Sequence, residues 1–247
     1  MELRIFDTSL ELGVAAAADA AEVVRAAIAA RGQARIVVAT GNSQLHTVEA
    51  FTTSPGIDWS VVDMFHLDEY AGMSADHPAS FRRWIRTRVE ERVHPRTVHY
   101  MEGDAVDLDA ELRRYSELLD AAPIDVTFLG IGENGHIAFN DPHVADFEDS
   151  HTVRRVTLDD ACRRQQVGEG HFSSLDEVPL EACTVTCSAL LRMGRWVCSV
   201  PELRKAQAVR CAVEGPVSEA CPASLVQRYP DAAVYLDRDS ASLLTHR

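Results

Sequence analysis

The sequence predicts an α/β protein, a mainly parallel sheet with helices on both faces, and three observations carry that prediction. Short apolar runs alternate with helical patterns of ten or more residues, the signature of β-α-β units. The runs are rich in Val, Ile and Leu without a polar alternation, as strands buried on both faces are. Two of them open directly into glycine-containing loops, at Ala39–Ser43 and Gly130–Gly135, which is how such sheets place ligands at strand carboxyl ends.

Each element has its own local reason. Ser9 to Ala30 is alanine-rich, with Leu10, Val14, Ala17, Val23, Val24 and Ile28 at helical spacing, and predicts the first helix. The apolar run Ile36–Ala39 predicts a strand, followed by a turn at Gly41–Ser43 and a helix near Gln44 to Thr53. A strand over Val61 to Leu67 and a helix from Ala79 to Val93 come next. Further strands are expected at Val98–Met101, Asp125–Gly130, Val153–Thr157, Thr184–Cys187, Trp196–Val200 and Ala233–Leu236. Helices near Leu108–Leu119, Leu203–Val213 and Ser224–Tyr229 fill the gaps. The stretches Val144–His151 and Arg163–Asp176 lack a clear period and read either as a lid or as a surface excursion.

Composition excludes several classes. With 247 residues and 46% hydrophobic content the chain supports one core, and we read one domain, residues 1–247. A net charge of −14 argues against nucleic acid and anionic membrane as partners, since both require clustered Lys and Arg. No run approaches the roughly 20 apolar residues of a membrane span, and Met1-Glu2-Leu3-Arg4 does not begin a secretory signal, so a cytoplasmic location is expected. The six cysteines form no C-x-x-C pair and several lie in apolar runs, which reads as buried free thiols.

Three loops carry chemistry. Thr40-Gly41-Asn42-Ser43 joins a buried strand to a helix, so its hydroxyl and amide groups suit an anion, although helix capping explains Thr and Ser equally well. It has neither Walker spacing nor a dinucleotide fingerprint. In His66-Leu67-Asp68-Glu69-Tyr70, adjacent carboxylates end an apolar strand, and such neighbours have pKa values pushed apart, leaving one as a base for a carbon-bound proton. The bland reading of this loop is a helix N-cap or a surface turn, and His66 reads as packed. In Gly130-Ile131-Gly132-Glu133-Asn134-Gly135-His136, the histidine needs a partner to fix its tautomer, and Asn134 and Asp141 are the nearby candidates.

Together these loops resemble the glucosamine-6-phosphate deaminase family, whose pattern has a T-G-x-S/T loop, a D-E-Y loop, a G-x-G-x-x-G-H-I-A-F-N-x-P loop and a late lysine. The likeness runs from Ile36 to Leu236, with the motifs in the family's order. It implies a three-layer α/β/α sandwich with a Rossmann-like sheet. The implied reaction converts glucosamine 6-phosphate and water to fructose 6-phosphate and ammonia, with no cofactor and no metal. By the same resemblance, His136 opens the sugar ring and Asp68 moves the proton from C2 to C1, with Asp141 and Asn134 in the relay. Thr40, Gly41, Asn42, Ser43 and Lys205 would hold the phosphate, with Glu69 and Gly135 beside the sugar. The family's arginine does not align cleanly here, and Arg164 or His171 is the expected substitute.

The chain also departs from that pattern. Well-studied members carry an aspartate two residues before the histidine and a glutamate five after it, where this chain has Asn134 and Asp141. Asn134 is expected to orient the imidazole through its carbonyl but brings no full negative charge to an imidazolium. The chain ends at Arg247 and Ser150–Arg155 only partly matches a basic effector region, so allosteric activation is expected to be absent. A galactosamine 6-phosphate deaminase, a 6-phosphogluconolactonase and a non-catalytic sugar-phosphate sensor stay open as alternatives, as does assembly into a homo-oligomer.

Overall fold

Strand β1 (Glu2–Phe6) leads into helix α1 (Ser9–Arg31), whose start is set by a capping box: Thr8 accepts from the Glu11 amide while the Glu11 carboxylate accepts from Thr8 N–H. Gly32, at φ 75°, ends it in the left-handed conformation that glycine adopts without strain. The computed structural model describes residues 1–245. His246 and Arg247, on whose position the expectation about allostery partly rests, lie outside the described residues.

The chain continues through β2 (Ala34–Val38), α2 (Leu45–Thr52), β3 (Val62–His66), β4 (Asp68–Tyr70), α3 (Phe81–Ile85), α4 (Glu91–Val93) and β5 (Thr97–Val98). It then forms α5 (Leu108–Asp120), β6 (Val126–Leu129), β7 (Val153–Thr157), α6 (Asp160–Gly168) and β8 (Glu181–Val185). α7 (Cys187–Leu190), β9 (Arg195–Val200), α8 (Ala206–Glu214) and β10 (Ala232–Asp237) complete it. Seven strands form one sheet in the order β1-β10-β9-β6-β2-β3-β5, every neighbouring pair parallel. Helices flank this sheet, giving the three-layer α/β architecture that the sequence predicts.

The direction of winding reverses between β2 and β6. From β2 the chain moves outward to β3 and β5, then returns to lay β6 on the other side of β2. The loops after β2 and β6 therefore diverge, and open parallel sheets hold their crevice at such a switch point. Register brings the ends together: Val38 lies opposite His66, and Leu129 opposite Cys198.

Two expected strands do not join the main sheet. β7 and β8 pair antiparallel with each other, and β8 pairs antiparallel with β4, in a second, three-stranded sheet. Asp68 opens β4 only two residues after β3 ends at His66, so the chain steps from one sheet to the other at Leu67. A separate apolar cluster, including Tyr70, Phe81, Phe139, Val156, Cys162 and Phe172, fills the space beneath the small sheet.

Other elements differ from expectation for identifiable reasons. The helix over Ala79–Val93 is interrupted by a π-helical turn, Arg86–Glu90, between α3 and α4. The strand over Val98–Met101 shortens to two residues, and Cys187 leaves the strand to open α7 behind the capping side chain of Thr186. The helix over Leu203–Val213 begins as a 3-10 turn, Leu203–Lys205, and Ser224–Tyr229 lies largely in a 3-10 helix, Pro222–Gln227. Helix α6 occupies the polar stretch that has no period, because its buried face is made of Cys162, Arg163 and Gln166 in place of an apolar stripe. β1 was not expected either; it is an edge strand, paired only with β10 and mostly half-buried.

All six cysteines are free, five of them buried, as the sequence predicts. No helix among the described residues is long and apolar enough to cross a membrane.

Gly13 is the point where α1 meets α2. A Cβ there would lie 2.6 Å from His46 Cβ and 2.7 Å from His46 backbone carbon. Alanine favours a helix interior by about 1 kcal/mol over glycine, but overpacking against backbone costs about 1–3 kcal/mol. Gly13→Ala is therefore expected to lower stability, read as a lower midpoint in urea unfolding; a raised midpoint would show that the two helices separate freely.

Candidate active site

Glutamine 44 builds the first wall. Its buried side-chain amide donates to Ser43 Oγ at 3.0 Å and to the carbonyls of Leu129 and Ser199 at 3.1 and 3.3 Å, clamping the loop after β2 to the ends of β6 and β9. Gly41, at φ 97°, turns that loop, and Gly130 lets it approach: a Cβ at 130 would stand 3.1 Å from Ser43 Oγ.

The second wall comes from the step between sheets. His66 is fully buried; its Nε2 accepts from the Met101 amide at 2.9 Å, so Nδ1 carries the proton and donates to the Asp68 carbonyl, also 2.9 Å. Burial pushes the His66 pKa down to about 4, which keeps the ring neutral in this bridging role. With its backbone held, Asp68 turns its carboxylate into the cleft, where no side-chain hydrogen bond or ion pair holds it among the described residues. Burial, reinforced by the neighbouring Glu69 charge, pushes its pKa well above the usual carboxylate value.

Glu69 points the other way. Its carboxylate accepts from the amides of Tyr70, Phe81 and Arg82 and from Ser80 Oγ, at 2.7–3.3 Å, satisfying the N-terminus of α3. Burial still leaves its pKa raised, against the opposing pull of those donors.

The third wall is the glycine-histidine loop. His136 Nδ1 lies 3.0 Å from Asp141 Oδ1, with the ring turned out of line for a hydrogen bond. Asn134 donates to the same Asp141 oxygen at 2.9 Å, and its own carbonyl accepts from the His136 backbone amide at 3.0 Å. Asp141 is completely buried; burial pushes its pKa up, yet His136, Asn134 and the Asp159 amide together hold it below the usual value. Asn140 pins this loop to β8 through the Val185 carbonyl at 2.9 Å, and Ala138 takes a left-handed φ of 50° at the turn. His136, Asp141 and Cys162 also place one nitrogen, one oxygen and one sulfur within 4.8 Å of one another, and burial pushes the thiol pKa far up.

The fourth wall is α6 and the turn after it, contributing Gln165, Gln166, Glu169 and His171. Lys205, 3% exposed, closes the end. The resulting cleft spans about 600 Å³ of empty space, its open mouth included.

A family model described as glucosamine-6-phosphate isomerases/6-phosphogluconolactonase matches residues 7–235. The chain belongs to this family. Among the relatives, the glucosamine-6-phosphate deaminase of Oenococcus oeni is 32% identical over the full length of both chains, and that of an Arthrobacter species is 34% identical over 99% of this chain and 93% of its own. A solved monomeric glucosamine-6-phosphate deaminase superposes with a TM-score of 0.90 at 31% identity, covering 99% of this chain and all of the other. A 6-phosphogluconolactonase from Shewanella baltica, 22% identical with a TM-score of 0.78, shares the fold.

Against the expectations for a member of this family, Thr40, Gly41, Asn42, Ser43, Asp68, His136 and Lys205 all face one cleft. Asp141 and Asn134 sit directly behind His136, but Asn134 meets its backbone amide, not its ring, because the asparagine amide is committed to Asp141. Glu69 and Gly135 do not reach the cleft: the first caps α3, and the second, at φ 86°, turns the loop against Cys221. Arg164 is solvent-exposed and paired with Asp160 on its own helix, so it is no substitute for the family's arginine, whereas His171 lines the cleft. The sequence gives no signal for Gln44, because its role depends on carbonyls of two distant strands. Gln165, Gln166 and Glu169 are missed because they lie in the stretch without a period.

Gly132 packs directly on the His136 imidazole, and any Cβ there would overlap all three of the nearest ring atoms. Gly132→Ala is expected to displace the ring and cut turnover about 100-fold, the scale of a misplacement near 1 Å. Steady-state rates measured beside melting curves check this; wild-type turnover in the folded variant would remove His136 from the chemistry.

Proposed function

We propose that the protein converts glucosamine 6-phosphate and water to fructose 6-phosphate and ammonia, a reading supported by relatives named glucosamine-6-phosphate deaminase. The observation that carries the reading is Asp68, a buried carboxylate with no side-chain hydrogen bond or ion pair among the described residues, facing the same cleft as the His136–Asp141 pair and Lys205.

The residues divide the work along the sugar. The Thr40–Ser43 loop and Lys205 receive the phosphate at one end, through loop donors and one buried cation. His136, steadied by Asp141, moves a proton to the ring oxygen and opens the pyranose. Asp68 then removes the C2 proton of the open chain and returns it to C1. The resulting C2 imine takes up water and releases ammonia, leaving the ketose phosphate. A carboxylate held by hydrogen bonds would be a weaker base, so the absence of a partner on Asp68 suits this step. Asp141, Glu69 and Glu169 all carry donors and are unsuited to it. Asn134 acts through Asp141 and the loop backbone.

The substrate reading is tested by assaying glucosamine 6-phosphate, galactosamine 6-phosphate and 6-phosphogluconolactone side by side. Ammonia and fructose 6-phosphate from the first are expected. Lactone hydrolysis without ammonia would place the protein with the other branch of its family, and tight binding without any product would make it a sensor.

Asp68→Asn is expected to lower ammonia release by a factor of about 1,000 or more, the scale of a lost general base. Its pKa is raised on folding, so the unfolded chain loses this proton first as pH rises, and above the ordinary carboxylate range the charged form costs stability. The same variant should therefore melt higher near neutral pH, by about 2–4 °C for each kcal/mol of desolvation removed. The rising limb of kcat/KM against pH is expected above about 4, the value of an exposed aspartate. A limb at that value, or an inactive variant that also melts lower, would remove Asp68 from this role.

A further inference from the structure

At the phosphate end of the cleft, the protein's own carboxylate lies among cations. Glu169 Oε1 is 3.6 Å from an Arg204 guanidinium nitrogen and 3.7 Å from Lys205 Nζ, and Oε2 is 3.4 Å from His171 Nε2. Gln165 donates to Oε1 at 2.8 Å, and Asn42, in the loop after β2, donates to the Glu169 carbonyl at 3.2 Å. Charge-assisted hydrogen bonds close to about 2.7–2.9 Å. The two cations and the imidazole therefore surround the carboxylate at distances longer than a charge-assisted hydrogen bond, which fits a larger anion with more oxygens.

Arg204 is aimed there by a strained neighbour. Glu202 adopts φ 84°, ψ 141°, a region that residues with side chains avoid, and its amide donates to the Asp237 carboxylate at 3.0 Å. From that position its carboxylate holds Arg204 Nε at 2.6 Å and leaves the far side of the guanidinium facing Glu169 and Glu133. Glu169 is flanked by Gly168 and Gly170, and nothing lies within 4 Å of where either would carry a Cβ, so the segment has room to move once its side-chain contacts are exchanged for those of a ligand.

We propose that Glu169 occupies the position where the substrate's phosphate binds, and that Arg204 joins Lys205 as the second cation for that phosphate once Glu169 swings out. The inference rests on the sugar-phosphate reading of the cleft and supplies the cation that Arg164 does not. It also makes Glu169 a specificity determinant. A phosphate dianion replaces the displaced carboxylate charge, whereas an unphosphorylated amino sugar would have to leave Arg204 and Lys205 uncompensated.

The test is calorimetric titration of the full chain with inorganic phosphate, for wild type, Glu169→Gln, Glu169→Asp and Arg204→Gln, with melting curves for each. Glu169→Gln is expected to tighten phosphate binding about tenfold, and Arg204→Gln to weaken it about tenfold, the scale of one charged hydrogen bond. Glu169→Asp, whose shorter side chain withdraws from the cations, should tighten it less, and it carries the test if the glutamine variant does not fold. Unchanged or weaker binding in the folded Glu169 variants would make Glu169 a fixed support for Lys205 and overturn the proposal. Unchanged binding in Arg204→Gln would overturn the assignment of the second cation. Wild-type turnover of glucosamine 6-phosphate in the same preparation separates the two readings. Turnover with unmoved phosphate affinities sinks only this proposal, and shifted affinities without turnover sink only the reaction.

Discussion

A neutral imidazole joins the two sheets, and the cleft depends on it. The chain leaves the parallel sheet at His66 and enters the antiparallel one at Asp68, a step that would strand backbone groups in the interior unless something paired them. His66 does so by accepting from Met101 and donating to Asp68, while Tyr115 accepts from the His66 amide and donates to its carbonyl. A charged ring would lose the acceptor that Met101 needs, and complete burial keeps it uncharged. The backbone of Asp68 is thereby fixed at the seam, with its side chain directed into the space between the sheets.

Around that seam, four carboxylates show how environment assigns roles to one functional group. Glu69 is surrounded by donors because it ends a helix, and Asp141 because it backs a histidine. Glu169 has a pKa near 2: burial opposes the charge, but His171, Lys205, Arg204 and Gln165 outweigh it. Asp68 alone among these has burial and a like charge and no compensating donor. A buried ionisable group without a partner is destabilising, and such groups persist mainly where chemistry uses them.

The small sheet and its own apolar cluster make this possible. Phe139, Phe81 and Tyr70 pack together beneath the cleft, and Tyr70 reaches Gln166 of α6 through a 2.8 Å hydrogen bond. The wall bearing Gln166, Glu169 and His171 is thus supported by aromatic packing separate from the core of the main sheet. Asn140 and Thr184 tie the histidine loop to the same small sheet, so its position relative to Asp68 is set by one shared element, β8.

Much of this was legible in the sequence. Periodicity located most strands and helices of the main sheet because strands buried on both faces and amphipathic or alanine-rich helices carry one-dimensional signals. Gly41, Gly135 and the histidine between apolar residues marked loops at strand ends, since positive φ and close approach require glycine. What sequence could not decide was direction. Asp68 and Glu69 are adjacent and chemically alike, yet one faces the cleft and the other a helix end, because successive residues of an extended chain point to opposite sides. Asn134 meets the backbone of His136 and not its ring, and Arg164 lies on the outer face of α6, in a stretch where no helix was expected. The residue types and the loops that carry them were determined by the sequence itself. The surface each side chain meets was decided by tertiary structure, because burial, pairing and charge compensation exist only after distant segments come into contact.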